Sequence, residues 1–251
     1  MSKTVVVIPC YQEQMRLDAS AIDVLCAHDI SVLLVDDGSS DGTLALLRRI
    51  EARAPDKISV LPLSPNRGKA EAVRLGMVEA LARGAAQVGF ADADMATPAS
   101  EVVRLVRTLE QSPALAAVMG SRIARAGAHI ERKHSRHYLG RLFATLASMV
   151  LAHSFYDTQC GAKIFRASTA LSDALASAFS SRWAFDVELI GRLLTGADPL
   201  PFEAFFELPL LAWHDVGGSK LNPMAKLRTL YELGQIARTL AARRARARQD
   251  R

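Results

Sequence analysis

The sequence predicts an α/β domain: a mostly parallel central sheet, doubly wound, with helices on both faces. Three observations predict it. Short runs rich in Val and Ile alternate with helical patterns through the first half of the chain. Those runs are apolar on both faces, as strands covered from both sides must be. Each run then ends in polar residues, at the place where open parallel sheets bind their ligands.

Taken in order, strands are expected at Val5–Ile8, Val32–Val35, Ile58–Leu61, Val88–Ala91 and Ala116–Met119. Helices are expected near 18–28, 43–54, 69–83 and 98–111. Asp41-Gly42-Thr43 and Thr97-Pro98 read as helix starts, with a capping side chain or a proline in the right place. The second half differs. Residues 121–137, SRIARAGAHIERKHSRH, are polar and basic and read as a mobile loop. A mostly apolar helix over 138–154 follows, then a loop DTQCG and a strand at KIF. Further helices are expected near 168–178 and 186–195, and a strand near 202–211. From Met224 to Leu240 apolar residues recur near helical spacing, and RRARARQDR reads as a basic helix end or a disordered tail. One domain over 1–221 with a basic C-terminal segment over 222–251 is the expected organisation.

The chain of 251 residues is long enough to bury a full core. Half of it is hydrophobic and 23% charged, which excludes a disordered class. The net charge of +5 suits anionic partners such as nucleotides, phosphates or acidic lipid. Cys10, Cys26 and Cys160 form no C-x-x-C pair and read as buried thiols in a reducing cytoplasm. The N-terminal apolar run is too short for a signal peptide. No stretch reaches the ~20 apolar residues of a spanning helix. The longest candidate, Leu142–Leu151, is bracketed by Arg141 and His153, so membrane contact is expected to be peripheral.

The chemistry is expected at the strand ends, which read PCYQE, DDGSSDG, SPNRGK and DADMATP. Asp92-Ala93-Asp94 places two carboxylates where both can face one divalent ion, and oxygen ligands suit Mg²⁺ or Mn²⁺. Asp36 and Asp37 stand together at a strand end, and a carboxylate there can accept from a base or ribose. Pro9, Tyr11 and Glu13 could form the facing wall of a base pocket. Lys69 opens a helix whose N-terminus favours a diphosphate. Neither a Walker A loop nor a G-x-G-x-x-G fingerprint is present, which removes support from dinucleotide oxidoreductases.

Together, VVVIPCYQE, VLLVDDGSSDGT, NRGKAEAVRLG, FADADMATP and MGSR resemble, in order and spacing, the family 2 glycosyltransferases. DTQCGAKIF, RWAFDVELI and GGSKL look like the dolichyl-phosphate β-glucosyltransferase branch, with the dolichyl-phosphate mannose synthases as cousins. The resemblance spans roughly residues 4–221 and implies a GT-A, Rossmann-like fold. It divides the domain into a nucleotide-sugar half (1–120) and an acceptor half (121–221). By resemblance, Pro9, Tyr11, Glu13 and Asp37 hold the nucleoside, with Lys69 and Ala93 in the same site. Asp92 and Asp94 hold the metal and diphosphate. Arg122 and Arg136 contact the donor and acceptor phosphates. Asp157, Trp183, Asp186, Ser219 and Lys220 shape the sugar and acceptor side, with Asp94, Arg122, Arg136, Asp157 and Asp186 as the catalytic set. Three departures stand out. Ala162 replaces the Phe of the common DTQCGFK. Trp213-His214-Asp215-Val216 stands where mannose synthases often carry an arginine, which weakens a mannose assignment. The N-terminal membrane anchor of eukaryotic glucosyl relatives is not seen.

The resemblance implies an inverting, metal-dependent transfer of a hexose, glucose favoured, from a nucleotide sugar such as UDP-glucose to a polyprenyl phosphate. The cytoplasmic face of the inner membrane is its expected place, and no nucleic acid partner is expected. Residues 121–141 carry Arg122, Arg125, Arg132, Lys133, Arg136 and Arg141 against Glu131 alone, a balance that suits an anionic acceptor. Two alternatives stay open. One is a family 2 enzyme acting on a saccharide or protein hydroxyl, with Asp157 or Asp186 as general base. The other is a non-catalytic protein that binds nucleotide sugars. Prenyl length and oligomeric state are not written in these motifs.

Overall fold

The computed structural model describes residues 3–131, 134–215 and 223–249. In the first half, strands β1 (Thr4–Cys10), β2 (Ile30–Asp37), β3 (Ile58–Leu63) and β4 (Gln87–Ala91) alternate with helices α1 (Ala19–Ala27), α2 (Thr43–Glu51) and α3 (Lys69–Ala82). Helix α4 (Ala99–Gln111) and β5 (Ala117–Ser121) follow. These agree with the expected elements to within a few residues, because each carries its apolar pattern locally.

The second half adds β6 (His129–Ile130), α5 (His134–Leu151), β7 (Ala162–Arg166), α6 (Thr169–Leu175) and α7 (Phe185–Thr195). It ends with a single 3₁₀ turn (Phe202–Ala204), β8 (Phe205–Pro209), β9 (Ala212–Trp213) and α8 (Pro223–Gln249). Two expectations change here. Residues 121–137 are not wholly loop: β6 pairs with β9, and α5 begins at His134 rather than 138. The strand expected over 202–211 is shorter, because its first three residues form the 3₁₀ turn.

Seven strands form one sheet in the order β3-β2-β1-β4-β7-β5-β8. All neighbours pair in parallel except β7, which runs antiparallel to both β4 and β5. Alternate strand residues feed opposite faces, as the two-residue strand period requires. Val5, Val7, Leu33 and Val35 pack under α3 and α5–α8. Val6, Ile8, Val32 and Leu34 pack under α1, α2 and α4. Helix α8 shares the first of these cores through Leu233, Ile236 and Leu240, so its middle is part of the domain. Helix α5 buries Ala144, Ala147 and Leu151 and leaves Leu142 and Met149 exposed. No helix among the described residues is long and apolar enough to cross a membrane. All three cysteines are free thiols, two of them buried.

Candidate active site

Because β1, β2 and β4 run in parallel, their carboxyl ends meet at one edge of the sheet. The segments leaving them enclose a cleft of about 350 Å³. Pro9, Tyr11, Glu13, Asp37, Lys69, Asp92 and Ala93, the residues expected to hold the nucleotide sugar, all line it, and so does Asp94. Tyr11 is half exposed, free to present its ring to a ligand.

Asp92 and Asp94 follow β4 directly. Lys69 Nζ lies 2.5 Å from Asp92 Oδ1. Burial lowers the Lys69 pKa, but Asp92 and then Asp186 more than offset it and hold the ammonium above its ordinary range. Asp94 Oδ1 accepts from Ala96 N at 3.1 Å. Burial, reinforced by the neighbouring Asp92, pushes the Asp94 carboxyl up, although the Ala96 bond opposes it. Two crowded carboxylates of this kind favour a cation between them. Among the described residues no group of three His, Cys, Asp or Glu forms a closed metal cage. Mg²⁺-type ions need none: they take one or two carboxylates and complete their shell with phosphate and water. The pair therefore fits such an ion.

Asp37 differs in detail from the expectation. Its carboxylate accepts from Arg67 N and Gly68 N, both at 2.8 Å, and its carbonyl accepts from Asn66 Nδ2 at 2.8 Å. It thus builds the turn that leads into α3, and only its remaining lone pairs face a ligand. Gly38 supports this turn: its φ is +68°, and a Cβ there would lie 2.7 Å from Asn66 N. Glu13 is buried, bonds Arg16 at 2.7 Å and has its carboxyl pushed up by burial.

The acceptor half brings further charges close by. Arg122 grips Asp157 with two bonds, Nε–Oδ2 at 2.6 Å and Nη2–Oδ1 at 2.7 Å, and its backbone N–H adds a third at 3.0 Å. The guanidinium also lies 5.3 Å from the centre of the Trp213 ring. Burial pushes the Asp157 carboxyl up, but Arg122 wins and holds it below the ordinary range. Asp186 is buried against Lys163, whose Nζ lies 2.5 Å from Asp186 Oδ1 and 2.6 Å from the Cys160 carbonyl. Burial dominates at Asp186 and raises its carboxyl. Asp157 and Asp186 were expected in the catalytic set, with either as a base in the alternative reading. Both are engaged in ion pairs. Arg122, expected to contact the donor and acceptor phosphates, is engaged in the first of these pairs. The side chain of Arg136, and Ser219 and Lys220 entirely, lie outside the described residues. Trp183 is 49% exposed on the loop before α7, and Gln159 of the DTQCG segment reaches its carbonyl at 3.5 Å.

Four residues that sequence reasoning missed complete the surroundings. Lys163 is fully buried inside β7, and a lysine within an apolar strand was the available signal. Glu207 on β8 accepts from Tyr156 N and Asp157 N, each at 2.7 Å, and so fixes the segment that carries Asp157. Glu232 on α8 accepts from Ser181 Oγ at 2.5 Å. Arg182 lies beside Gly68. Nothing in their local sequence marks the last three.

Residues 5–170 match the family described as Glycosyl transferase family 2. The chain is 34% identical over 239 residues to dolichyl-phosphate beta-glucosyltransferase of Drosophila melanogaster, covering 87% of this chain and 69% of that protein. It is 32% identical over 243 residues to the Homo sapiens protein of the same name, with the same coverage of each. Among solved structures, the mannosyltransferase PcManGT from Pyrobaculum calidifontis, in complex with GDP-Man and Mn²⁺, superposes with a TM-score of 0.52 at 17% identity. That match covers 99% of this chain and 75% of the other. The architecture is that of the GT-A glycosyltransferases, and the chain belongs to glycosyl transferase family 2.

Proposed function

We propose that the protein transfers a hexose, glucose first, from a nucleoside diphosphate sugar such as UDP-glucose to a polyprenyl phosphate of the dolichyl type. It does so with inversion, attached peripherally to the cytoplasmic face of a membrane. The names of the relatives that it matches support the sugar and the lipid. One observation carries the choice of acceptor: both carboxylates that could serve as a base in the acceptor half, Asp157 and Asp186, are locked to Arg122 and Lys163. A hydroxyl acceptor must lose a proton to a base in reach. A lipid phosphate is already anionic and attacks without one.

In this reading Pro9, Tyr11 and Glu13 wall the nucleoside and Asp37 shapes the turn beside it. Asp92 and Asp94 hold Mg²⁺ or Mn²⁺, which when bound stabilises negative charge on the leaving diphosphate. Lys69, already paired with Asp92, helps to hold that carboxylate at the cleft. An oxygen of the acceptor phosphate forms a bond to the anomeric carbon as the bond from that carbon to the diphosphate breaks. The nucleoside diphosphate leaves with the electron pair, and no proton moves.

A donor panel with Mn²⁺ or Mg²⁺ and a polyprenyl phosphate, read as sugar in the lipid phase, tests the proposal. UDP-glucose is expected to give the highest kcat/KM, and NMR of the product should show a β linkage. Transfer to a soluble saccharide with none to the lipid would overturn it.

A further inference from the structure

We propose that Arg182 is a phosphate-binding residue of this site, contacting an anionic oxygen of the donor diphosphate or of the acceptor phosphate. The inference rests on the reading above for which phosphates are present.

A count of free charge points to it. Among the described residues, four basic side chains in and beneath the cleft are already paired: Arg16 with Glu13, Lys69 with Asp92, Arg122 with Asp157 and Lys163 with Asp186. Substrates that bring a diphosphate and a phosphate need a cation not yet committed. Arg182 is exposed and makes no hydrogen bond or ion pair among the described residues. It also stands in the right place. Gly68 lines the cleft, and a Cβ built on it would lie 3.9 Å from both Cδ and Nε of Arg182 and within 4 Å of no other group. With φ at +89°, Gly68 is a position that side chains rarely occupy. The Arg182 side chain therefore lies next to bare backbone at the mouth of the cleft, where no side chain of residue 68 stands between it and a ligand.

The loop that carries Arg182 is held more firmly than an exposed loop requires. Glu188 Oε2 accepts from Ser180 N at 2.9 Å, Ser180 Oγ at 2.8 Å and Ser181 N at 3.1 Å. From the other side, Glu232 Oε2 of α8 accepts from Ser181 Oγ at 2.5 Å and from Trp183 N at 3.3 Å. Ser181 Oγ in turn accepts from Ala184 N at 2.7 Å. Two buried carboxylates thus fix the backbone on both sides of Arg182 and leave only its side chain to be ordered on binding, which lowers the entropic cost. The planar fork of a guanidinium matches two phosphate oxygens.

Full-length R182A, R182K and R49A proteins provide the test, with R49A, an exposed site on α2, controlling for net charge. Calorimetry would read UDP affinity in the presence of Mn²⁺. Kinetics in detergent would read KM for UDP-glucose and for a polyprenyl phosphate. In R182A one of these should weaken about tenfold or more, the scale of one charge-assisted contact. R49A should match wild type, and R182K should recover part of the loss. Weaker UDP binding assigns Arg182 to the donor, and a raised lipid KM alone assigns it to the acceptor. If UDP affinity and both KM values of R182A stay within about twofold of wild type, or if R49A loses as much, the proposal is wrong. Should wild type fail to use polyprenyl phosphate, calorimetry still decides: lost UDP affinity upholds Arg182 while the proposed function falls, and unchanged affinity sinks Arg182 as well.

Discussion

Arg122 and Asp157 stand on separate segments, yet their side chains meet through two short parallel hydrogen bonds in a nearly closed environment. Such a pair is costly to break, because removing one partner strands the other's charge. D157N should therefore destabilise the fold by about 3–5 kcal/mol, read from urea midpoints. A loss below ~1 kcal/mol, the size of an exposed pair, would contradict the geometry. The pH dependence has a definite sign. The Asp157 carboxyl is held below its ordinary range, against the opposing pull of burial, because Arg122 outweighs it. Its contribution is complete above the unfolded carboxylate pKa and is lost as pH falls through the depressed folded value. The stability gap between wild type and D157N should stay constant from neutral pH down to mild acid and close only below that. At this scale the sequence displayed the residue types but not their partners. Asp157 and Asp186 looked like free acids until the fold set Arg122 and Lys163 beside them.

Among elements, the segment joining α5 to β7 does the most to organise the site. Glu207 fixes its middle through Tyr156 N and Asp157 N, and Lys163 fixes its end through the Cys160 carbonyl. Its last residue, Gly161, then lies directly against Asp92: a Cβ there would sit 2.3 Å from Asp92 Oδ2. The carboxylate would have to move, since backbone lies on the other side of the contact. G161A should leave the melting temperature within a few degrees and lower kcat/KM on the order of 10²-fold, as displacing a preorganised charged group does. Near wild-type turnover would show that Asp92 need not keep this position. Most elements were legible. The strands of the first half carry unbroken Val and Ile runs, and α3 and α4 carry their own starts. The β6–β9 pair was not, because two-residue strands show no period and their pairing joins residues more than 80 apart. The antiparallel setting of β7 was equally hidden, since an apolar strand reads alike in either direction.

For the whole molecule, the arrangement of the second half bears on where the protein works. Helices α5 and α8 pack together, α5 exposes Leu142 and Met149, and residues 222–251 hold eight Lys or Arg against two acids. Each basic residue near anionic lipid contributes roughly 1 kcal/mol, and salt screens it. The protein should float with anionic vesicles at low salt and release at about 0.5 M salt, beyond the range of such screening. Equal flotation with neutral vesicles, or none with anionic ones, would count against peripheral attachment. What the sequence determined by itself was the chemistry on offer and the edge of the sheet that offers it. Strand periodicity is local, and the carboxyl end of each strand can be read along the chain, so Glu13, Asp37, Lys69, Asp92 and Asp94 could be assigned to one cleft in advance. Which of those charges remain free was decided only by the tertiary structure. Ion pairing depends on ångström-scale contacts between elements far apart in sequence, and Lys69–Asp92, Arg122–Asp157 and Lys163–Asp186 each close across a gap that no periodicity spans.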